Sequence, residues 1–345
     1  MLRVGIVGFG FMGRTHHKCW KGVEGAEVVT ICDVNPNIVE DTQKAVGNIS
    51  DAQHEVDFGS LKVYSDFNRM LSKEKLDAIS ITLPTYLHAD HSIKALLAGI
   101  NVLCEKPMAL NIADCERMIS SAKQSGKILQ IGHCVRFWPE YAKVKQIVDS
   151  GEYGRVVAAT FQRLAAAPAW SEDNWFLDER RSGGMVLDLH IHDTDFVQYL
   201  FGVPHAVCSF GVEAPCRGLV HIVTQYLYDD SKVVTAEGSW SVMLACGFEM
   251  SFNIMLEKAT LIYDLTREPV FKVCPAEREA FVPDIEKGDG WFLQIAHFAK
   301  LIKGEKVEQV TTLEQSLNSV KIVQAEKESV AKREKVGLVD SGPVA

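Results

Sequence analysis

The sequence predicts an α/β protein of two domains, a doubly wound parallel sheet followed by a domain built on a mainly antiparallel or mixed sheet. Three observations predict it. Strand-like and helix-like stretches alternate through the first 130 residues. A glycine-rich turn, Gly8-Phe9-Gly10-Phe11-Met12-Gly13, leads from the first strand into the first helix, and Asp33 closes the second strand twenty residues after Gly13. From about residue 205, strands follow one another with turn signals such as Asp229-Asp230 between them and no helices. Alternating elements imply parallel strands covered on both faces. Consecutive strands joined by short turns imply antiparallel pairing.

In order, the expected strands of the first domain are 2–8, 27–32, 62–64, 77–82, 101–104 and 128–131. The stretches 11–20, 36–46, 66–72, 86–98 and 111–125 suit helices between them. Thr85 fits the N-cap of 86–98 and Gly99 its stop. Asn48 to Ser60 is polar, acidic and without periodicity, which suits a surface insertion. A helix is expected over 183–201, then strands over 205–213, 219–228, 232–240, 246–255 and 259–264. Helices over 291–303 and 313–332 follow. The boundary is expected near 125, giving domains 1–125 and 126–345.

Composition narrows the function classes. A chain of 345 residues with 47% hydrophobic and 23% charged content has the make-up of an ordinary globular protein. A net charge of −9 argues against a nucleic-acid partner, whose phosphates demand a basic surface. No apolar run is long enough to span a bilayer, and the first strand begins directly after Met1, so neither a membrane nor a signal peptide is expected. Nine cysteines without a CxxC pair suit reduced thiols and a cytoplasmic location.

The glycine turn carries the first chemistry. A helix N-terminus offers unpaired N–H groups and partial positive charge to a pyrophosphate. Gly8 would make the tight turn, Gly10 would admit the phosphates, and Gly13 would let helix and strand pack closely. Asp33 would accept from the ribose 2′-OH. Its charge, with Val34 and Asn35 behind it instead of a basic residue, favours NAD over NADP.

Three further segments stand out. Thr82-Leu83-Pro84-Thr85-Tyr86-Leu87-His88 ends the fourth strand and Glu105-Lys106-Pro107 ends the fifth, both where such a sheet holds its ligand. Spacing alone leaves Lys106 either pointing at a nicotinamide or standing as a surface turn lysine. On a helix over 183–201, Asp188, His192 and Asp195 share one face at i, i+4 and i+7. Met185, Leu189, Phe196 and Leu200 form an apolar stripe beside them. A carboxylate one turn from a histidine suits a general base, although on a helix taken alone a solvated or structurally bonded pair is the commoner reading. His190-Ile191-His192 invites a metal reading, but helical geometry turns His190 about 200° from His192. On a strand the two would share a face and the metal reading would revive.

Together, GxGxxG, the acid closing the second strand, the TxPTxxH stretch, Glu105-Lys106-Pro107 and Gly183-Gly184 followed by Asp188, His192 and Asp195 resemble the Gfo/Idh/MocA oxidoreductases. Gly132-His133-Cys134-Val135-Arg136-Phe137-Trp138-Pro139 and Gly151-Glu152-Tyr153-Gly154-Arg155-Val156 add to the resemblance, which covers roughly the first 200 residues. It implies an NAD(P)-binding Rossmann domain joined to a substrate-binding α/β domain with a large open, mainly antiparallel sheet that pairs subunits into a homodimer or homotetramer. It implies hydride transfer between a sugar, polyol or cyclitol carbon and nicotinamide. Lys106 would hydrogen-bond the reacting oxygen, His192 would accept its proton, and Asp188 would bind substrate or orient the site. Glu105 and His88 would belong to the cofactor pocket, with Gly8 to Gly13, Asp33, Thr82, Leu83, Pro84 and Lys106. Arg136 and Trp175, with Trp138, Trp170, Arg180 and Arg181, are further candidates for touching substrate. Two positions depart from the common pattern, which often has glycine at His190 and asparagine at Thr85.

The same resemblance leaves two other outcomes open. One is a glycosidase or lyase in which tightly bound NAD oxidises C3 transiently and assists elimination. The other is a nucleotide-sensing regulator, against which Lys106 and His192 argue.

Overall fold

The computed structural model describes residues 1–35, 37–39, 56–169, 171–215 and 217–338. The expected helix over 36–46, most of the 48–60 insertion and Trp170 lie largely or wholly outside the described residues. The chain forms two compact units, Met1–Phe137 with Gly288–Leu317, and Trp138–Lys287 with the residues from Asn318 onward.

The first unit is built on six parallel strands, β1 (Leu2–Val7), β2 (Ala26–Cys32), β3 (Lys62–Tyr64), β4 (Ala78–Ile81), β5 (Asn101–Glu105) and β6 (Leu129–Gly132), in the order β3-β2-β1-β4-β5-β6. Strand order reverses between β1 and β4, which opens a crevice beyond their carboxyl ends. The glycine turn after β1 and the Thr82–Pro84 segment after β4 border it. Central strands read as apolar runs because both their faces are covered; all four residues of β4 are buried.

The helices of this part are α1 (Phe11–Lys21), α2 (Phe67–Lys73), α3 (His88–Leu97) and α4 (Ile112–Ser125). α4 has the start and stop its sequence advertises: Asn111 accepts from Asp114 N–H, and Gly126 ends the helix at φ +65°. α3 differs from expectation. A 3₁₀ turn over Thr85–Leu87 precedes it, and Thr85 is buried instead of capping.

The second unit contains α5 (Pro139–Ser150), β7 (Val156–Leu164), α6 (Glu179–Ser182), α7 (Ile191–Phe201), β8 (Ala206–Ala214), β9 (Gly218–Leu227), β10 (Val233–Ser239), β11 (Glu249–Leu256), β12 (Ala259–Asp264) and β13 (Phe271–Pro275). With β14 (Val336–Gly337) the strands make one sheet, ordered β13-β12-β11-β7-β10-β9-β8-β14. Among the described residues only β7 and β10 pair in parallel here, so the sheet is mixed and mainly antiparallel. Its strands alternate. Phe161, Phe252 and Tyr263 turn inward onto Tyr141 of α5 and Phe196 of α7, with the Tyr141 ring centroid 4.7 to 5.3 Å from those of Phe196, Phe252 and Tyr263. Phe210, Val223, Val233 and Met255 turn the other way and are exposed in this chain.

α8 (Gly290–Ile302) and α9 (Leu313–Lys332) end the helical succession. α8 returns to the first unit: Ile295, Phe298 and Ala299 join the core of Val4, Ile6, Trp20 and Leu103, with Trp20 and Phe298 edge to face at 6.2 Å. The chain thus passes between units three times, and β6 belongs to the first sheet although it follows residue 125. The local pattern at 291–303 reads only as an amphipathic helix. Nothing in it says which core its apolar face fills.

Candidate active site

The glycine turn is shaped for a ligand. Gly8 has φ +86°, and a Cβ there would stand 2.7 Å from Thr82 O. A Cβ on Gly13 would run into Gly8 O, so strand, turn and helix close only around bare glycine. Gly10 is the reverse case, with no heavy atom within 4 Å of where its Cβ would be. It is also the N-cap of α1 and supplies no side-chain cap, leaving first-turn N–H groups for an anion. Thr82 Oγ1 donates to Gly8 O at 2.6 Å and ties the turn to β4.

Asp33 accepts from the N–H of Phe9 at 2.5 Å and of Asn35 at 2.9 Å. A carboxylate has about four acceptor positions, so about two remain for a ribose diol. These residues fit a dinucleotide. Phe9 contributes backbone only: its ring is fully buried, edge to face with Phe58 at 5.9 Å. Phe11 and Met12, half-buried, begin α1.

At the end of β5 the Lys106 turn is held from behind. Glu105 is 7% exposed; its Oε1 lies 3.0 Å from His16 Nε2 and its Oε2 accepts the Lys106 N–H at 3.2 Å. Gly132 on β6 makes the room, since a Cβ there would sit 2.9 Å from Oε1. Burial works to raise the Glu105 pKa, but the His16 hydrogen bond and charge, then Lys106 and His88, outweigh it and hold the carboxyl below its usual range. A depressed folded pKa stabilises above the unfolded carboxylate pKa of ~4.3 and is lost as pH falls through the folded value. Thermal unfolding followed below about pH 4.3 should therefore show a shallower acid decline in Glu105→Gln than in the parent chain.

The family resemblance implies a cofactor-pocket role for His88, but its ring is turned to the backbone. It is 1% exposed, with Nδ1 2.8 Å from Pro107 O and Nε2 2.8 Å from Leu83 O, so both ring nitrogens are spent on carbonyls. Leu83, Pro84 and Lys106 themselves are half-buried.

In the second unit, Gly183 (φ +81°) and Gly184 (φ +74°) turn the chain into a π-helical stretch, Val186–His190, which runs directly into α7. The expected uninterrupted α-helix over 183–201 is absent. A π turn holds more residues than an α turn, so the i, i+4, i+7 face is redrawn. From Met185 to Gln198 only Asp188 and His192 are half-buried while their neighbours are buried. Asp195, three residues after His192 in α7, is buried: it is 1% exposed and accepts from Ser319 Oγ at 2.7 Å.

His190 is wholly buried. Its Nε2 lies 3.5 Å from Glu326 Oε1, and its ring packs on Gly238, where a Cβ would stand 2.8 Å from Nδ1. It therefore serves the core and shares no ligand position with His192. Asp193 is paired on both oxygens with Arg163, Nε and Nη2 each at 2.9 Å, and both side chains are almost fully buried. Burial alone would lower the Arg163 pKa; the Asp193 charge reverses that and raises it.

Arg136 is 1% exposed and its Nη1 donates to Val310 O at 2.9 Å and to Gln315 Oε1 at 2.5 Å. This clamps the Cys134–Phe137 turn to the segment before α9 and to the first turn of that helix. Trp175 is half-buried and stacks on Phe176 at 3.9 Å. Arg180 is exposed and paired with Asp178. The pairs His16–Glu105 and Arg163–Asp193, and the π turn, have no signal in the sequence. Each pair joins residues 30 or more positions apart, and the π turn depends on a helix register that periodicity does not distinguish.

Residues 2–133 match the Gfo/Idh/MocA family described as an oxidoreductase family with an NAD-binding Rossmann fold, and residues 141–262 match the C-terminal domain of that family. The chain is 31% identical over 218 residues to 2,7-anhydro-N-acetylneuraminate hydratase of Mediterraneibacter gnavus, a match covering 62% of this chain and 53% of the relative. It spans about half the length of that relative and of others such as the myo-inositol 2-dehydrogenase of Thermotoga maritima. It is 26% identical to the NAD⁺-dependent scyllo-inositol 2-dehydrogenase of Bacillus subtilis over 92% of this chain and 91% of that one. Among solved structures, levoglucosan dehydrogenase in complex with NADH and levoglucosan superposes with a TM-score of 0.83 at 20% identity, covering 98% of this chain and all of the other.

Proposed function

Because this chain belongs to the Gfo/Idh/MocA oxidoreductase family, we propose that it oxidises a hydroxyl-bearing carbon of a sugar, polyol or cyclitol with NAD. The observation that carries this reading is the Lys106 turn, braced by buried Glu105 and His16 beside a glycine cradle fitted for a dinucleotide. The inositol and levoglucosan dehydrogenases among its relatives support the substrate class.

Gly8, Gly10 and Gly13 with the α1 N-terminus would hold the pyrophosphate, and Asp33 the ribose. Bound NAD supplies the hydride-accepting carbon. An alkoxide gives up hydride far more readily than an alcohol, so the chain's task is to take a proton from the substrate oxygen and stabilise the charge left behind. His192 accepts that proton, Lys106 donates a hydrogen bond to the same oxygen, and Asp188, one turn away, orients the imidazole or a neighbouring hydroxyl. Trp175 offers an aromatic face to a sugar ring. A panel of polyols, aldoses and glycosides, followed by the near-ultraviolet absorbance of NADH, tests the reading. Absence of turnover on all of them would refute it.

Asp33 sets the nucleotide preference. Asp33→Ala should weaken NAD about tenfold through loss of a charge-assisted hydrogen bond, and narrow the gap to NADP by relieving repulsion of the 2′-phosphate. Titration of both nucleotides measures it; an unchanged ratio would remove Asp33 from the ribose.

A second reading is favoured by the relative named a hydratase, since hydration involves no net oxidation. Here hydride would pass from the substrate to bound NAD while the same residues take the hydroxyl proton, a group would leave or add at the neighbouring carbon, and return of the hydride would restore both the alcohol and the nucleotide. Product formation without added NAD and without lasting absorbance change distinguishes it. The exposed sheet face bearing Phe210, Val223, Val233 and Met255 suits a second copy of this chain, as a homodimer or homotetramer, which light scattering would show.

A further inference from the structure

The two carbonyls at His88 specify its protonation. A carbonyl oxygen only accepts, so Pro107 O and Leu83 O, each 2.8 Å from a different ring nitrogen, are both hydrogen-bonded only if both nitrogens carry hydrogen. A neutral ring would set one bare nitrogen lone pair against a carbonyl oxygen, in a place closed to water by 1% exposure.

We propose that His88 is a buried, doubly protonated imidazolium that fixes the Lys106–Pro107 turn to the loop after β4, and is thereby a positioning residue for Lys106. The proposal deepens the dehydrogenase reading and rests on it only where activity is measured. Its two acceptors come from different loops, one following β4 and one following β5, so a single ring joins the ends of neighbouring strands beside the crevice where strand order reverses.

The influences on the ring pull both ways. Burial is the largest and, with Lys106, draws the pKa of the ring below its ordinary value; the two carbonyls and the Glu105 carboxylate work in the other direction. Charge-assisted hydrogen bonds are roughly twice as strong as neutral ones, and here there are two of them. Against the downward pull stands the geometry, which we follow: a neutral ring would forfeit one of the two bonds and set a lone pair against a carbonyl oxygen 2.8 Å away. From α1, His16 faces Glu105 on its other side. On α3 and α4, Arg117 pairs with both Asp90 and Asp114 at the surface. Glu105 is then the counter-charge of His88 as well as the brace of Lys106.

The test is nitrogen-15 NMR of the histidine-labelled full chain without nucleotide, His88 being assigned by its loss in His88→Gln. Both ring nitrogens should carry protons across about pH 6–8, the range in which ordinary histidines lose one. A bare acceptor nitrogen on His88 at neutral pH would overturn the proposal. The glutamine side chain of the variant presents its donors from one nitrogen and cannot span the two carbonyls. In His88→Gln, kcat should therefore fall on the order of 10²-fold with KM changed far less, as misplacement of a catalytic group produces. Parent-like kcat in the folded variant would equally overturn it. The NMR result does not require turnover, so a chain inactive on every polyol would sink the dehydrogenase reading and leave the protonation of His88 to be decided by itself.

Discussion

Lys106→Met should lower kcat by about 10²–10⁴-fold while leaving the dissociation constant of NAD within a few-fold. The side chain proposed to hydrogen-bond the developing alkoxide is removed, whereas the glycine cradle and Asp33, which would hold the nucleotide, are untouched. Methionine keeps most of the stem volume, and the backbone N–H that Glu105 accepts remains. The loss should therefore appear in the chemical step. Steady-state NADH formation and nucleotide titration by intrinsic fluorescence separate the two quantities. A variant with unchanged kcat would place Lys106 in a turn role only, and one that loses NAD with kcat intact would move it to the cofactor grip.

The largest stability effect is expected at Arg163. Its guanidinium satisfies both oxygens of Asp193 at 2.9 Å in a place from which solvent is excluded. Arg163→Met leaves that carboxylate buried and unpaired, a change costing about 3–5 kcal/mol. Asp193 follows His192 directly in α7, so the same substitution should disturb the proposed base as well as the fold. Adding Asp193→Leu should recover much of the stability, because an apolar pair of similar volume carries no desolvated charge. Urea unfolding of the parent, the single variant and the double variant reads this directly. A single variant no less stable than the parent would mean that the pair is solvated and the proposed brace of α7 does not exist.

Much of the first unit is legible in the sequence because its signals are local. GxGxxG, an acid at the end of β2, and alternation of apolar runs with capped helices each need only a short window of chain. Together they imply six parallel strands with a ligand crevice at their carboxyl ends, and the six strands are there. Lys106 is legible through its position at a strand end. What escapes is whatever depends on contacts between distant segments. His88 reads, through the family resemblance, as part of the cofactor pocket, yet both nitrogens turn to backbone. Arg136 reads as a candidate for touching substrate, and its bonds to Val310 and Gln315, more than 170 positions away, have no signal in the sequence. Asp195 reads as part of a site face and is buried against Ser319, a residue 124 positions away, and no hydrophobic period distinguishes the five π-helical residues ahead of α7 from α. A single boundary near 125 does not describe the two units, because a much later helix, α8, fills a core built from the start of the chain.

The proposed chemistry turns on one oxygen atom that gives its proton to His192 and accepts a hydrogen bond from Lys106. A crystal structure of the chain with NAD⁺ measures this most directly. Lys106 Nζ and His192 Nε2 are both expected within hydrogen-bonding reach of a single oxygen over the nicotinamide ring. Side chains opening into separate cavities would contradict it.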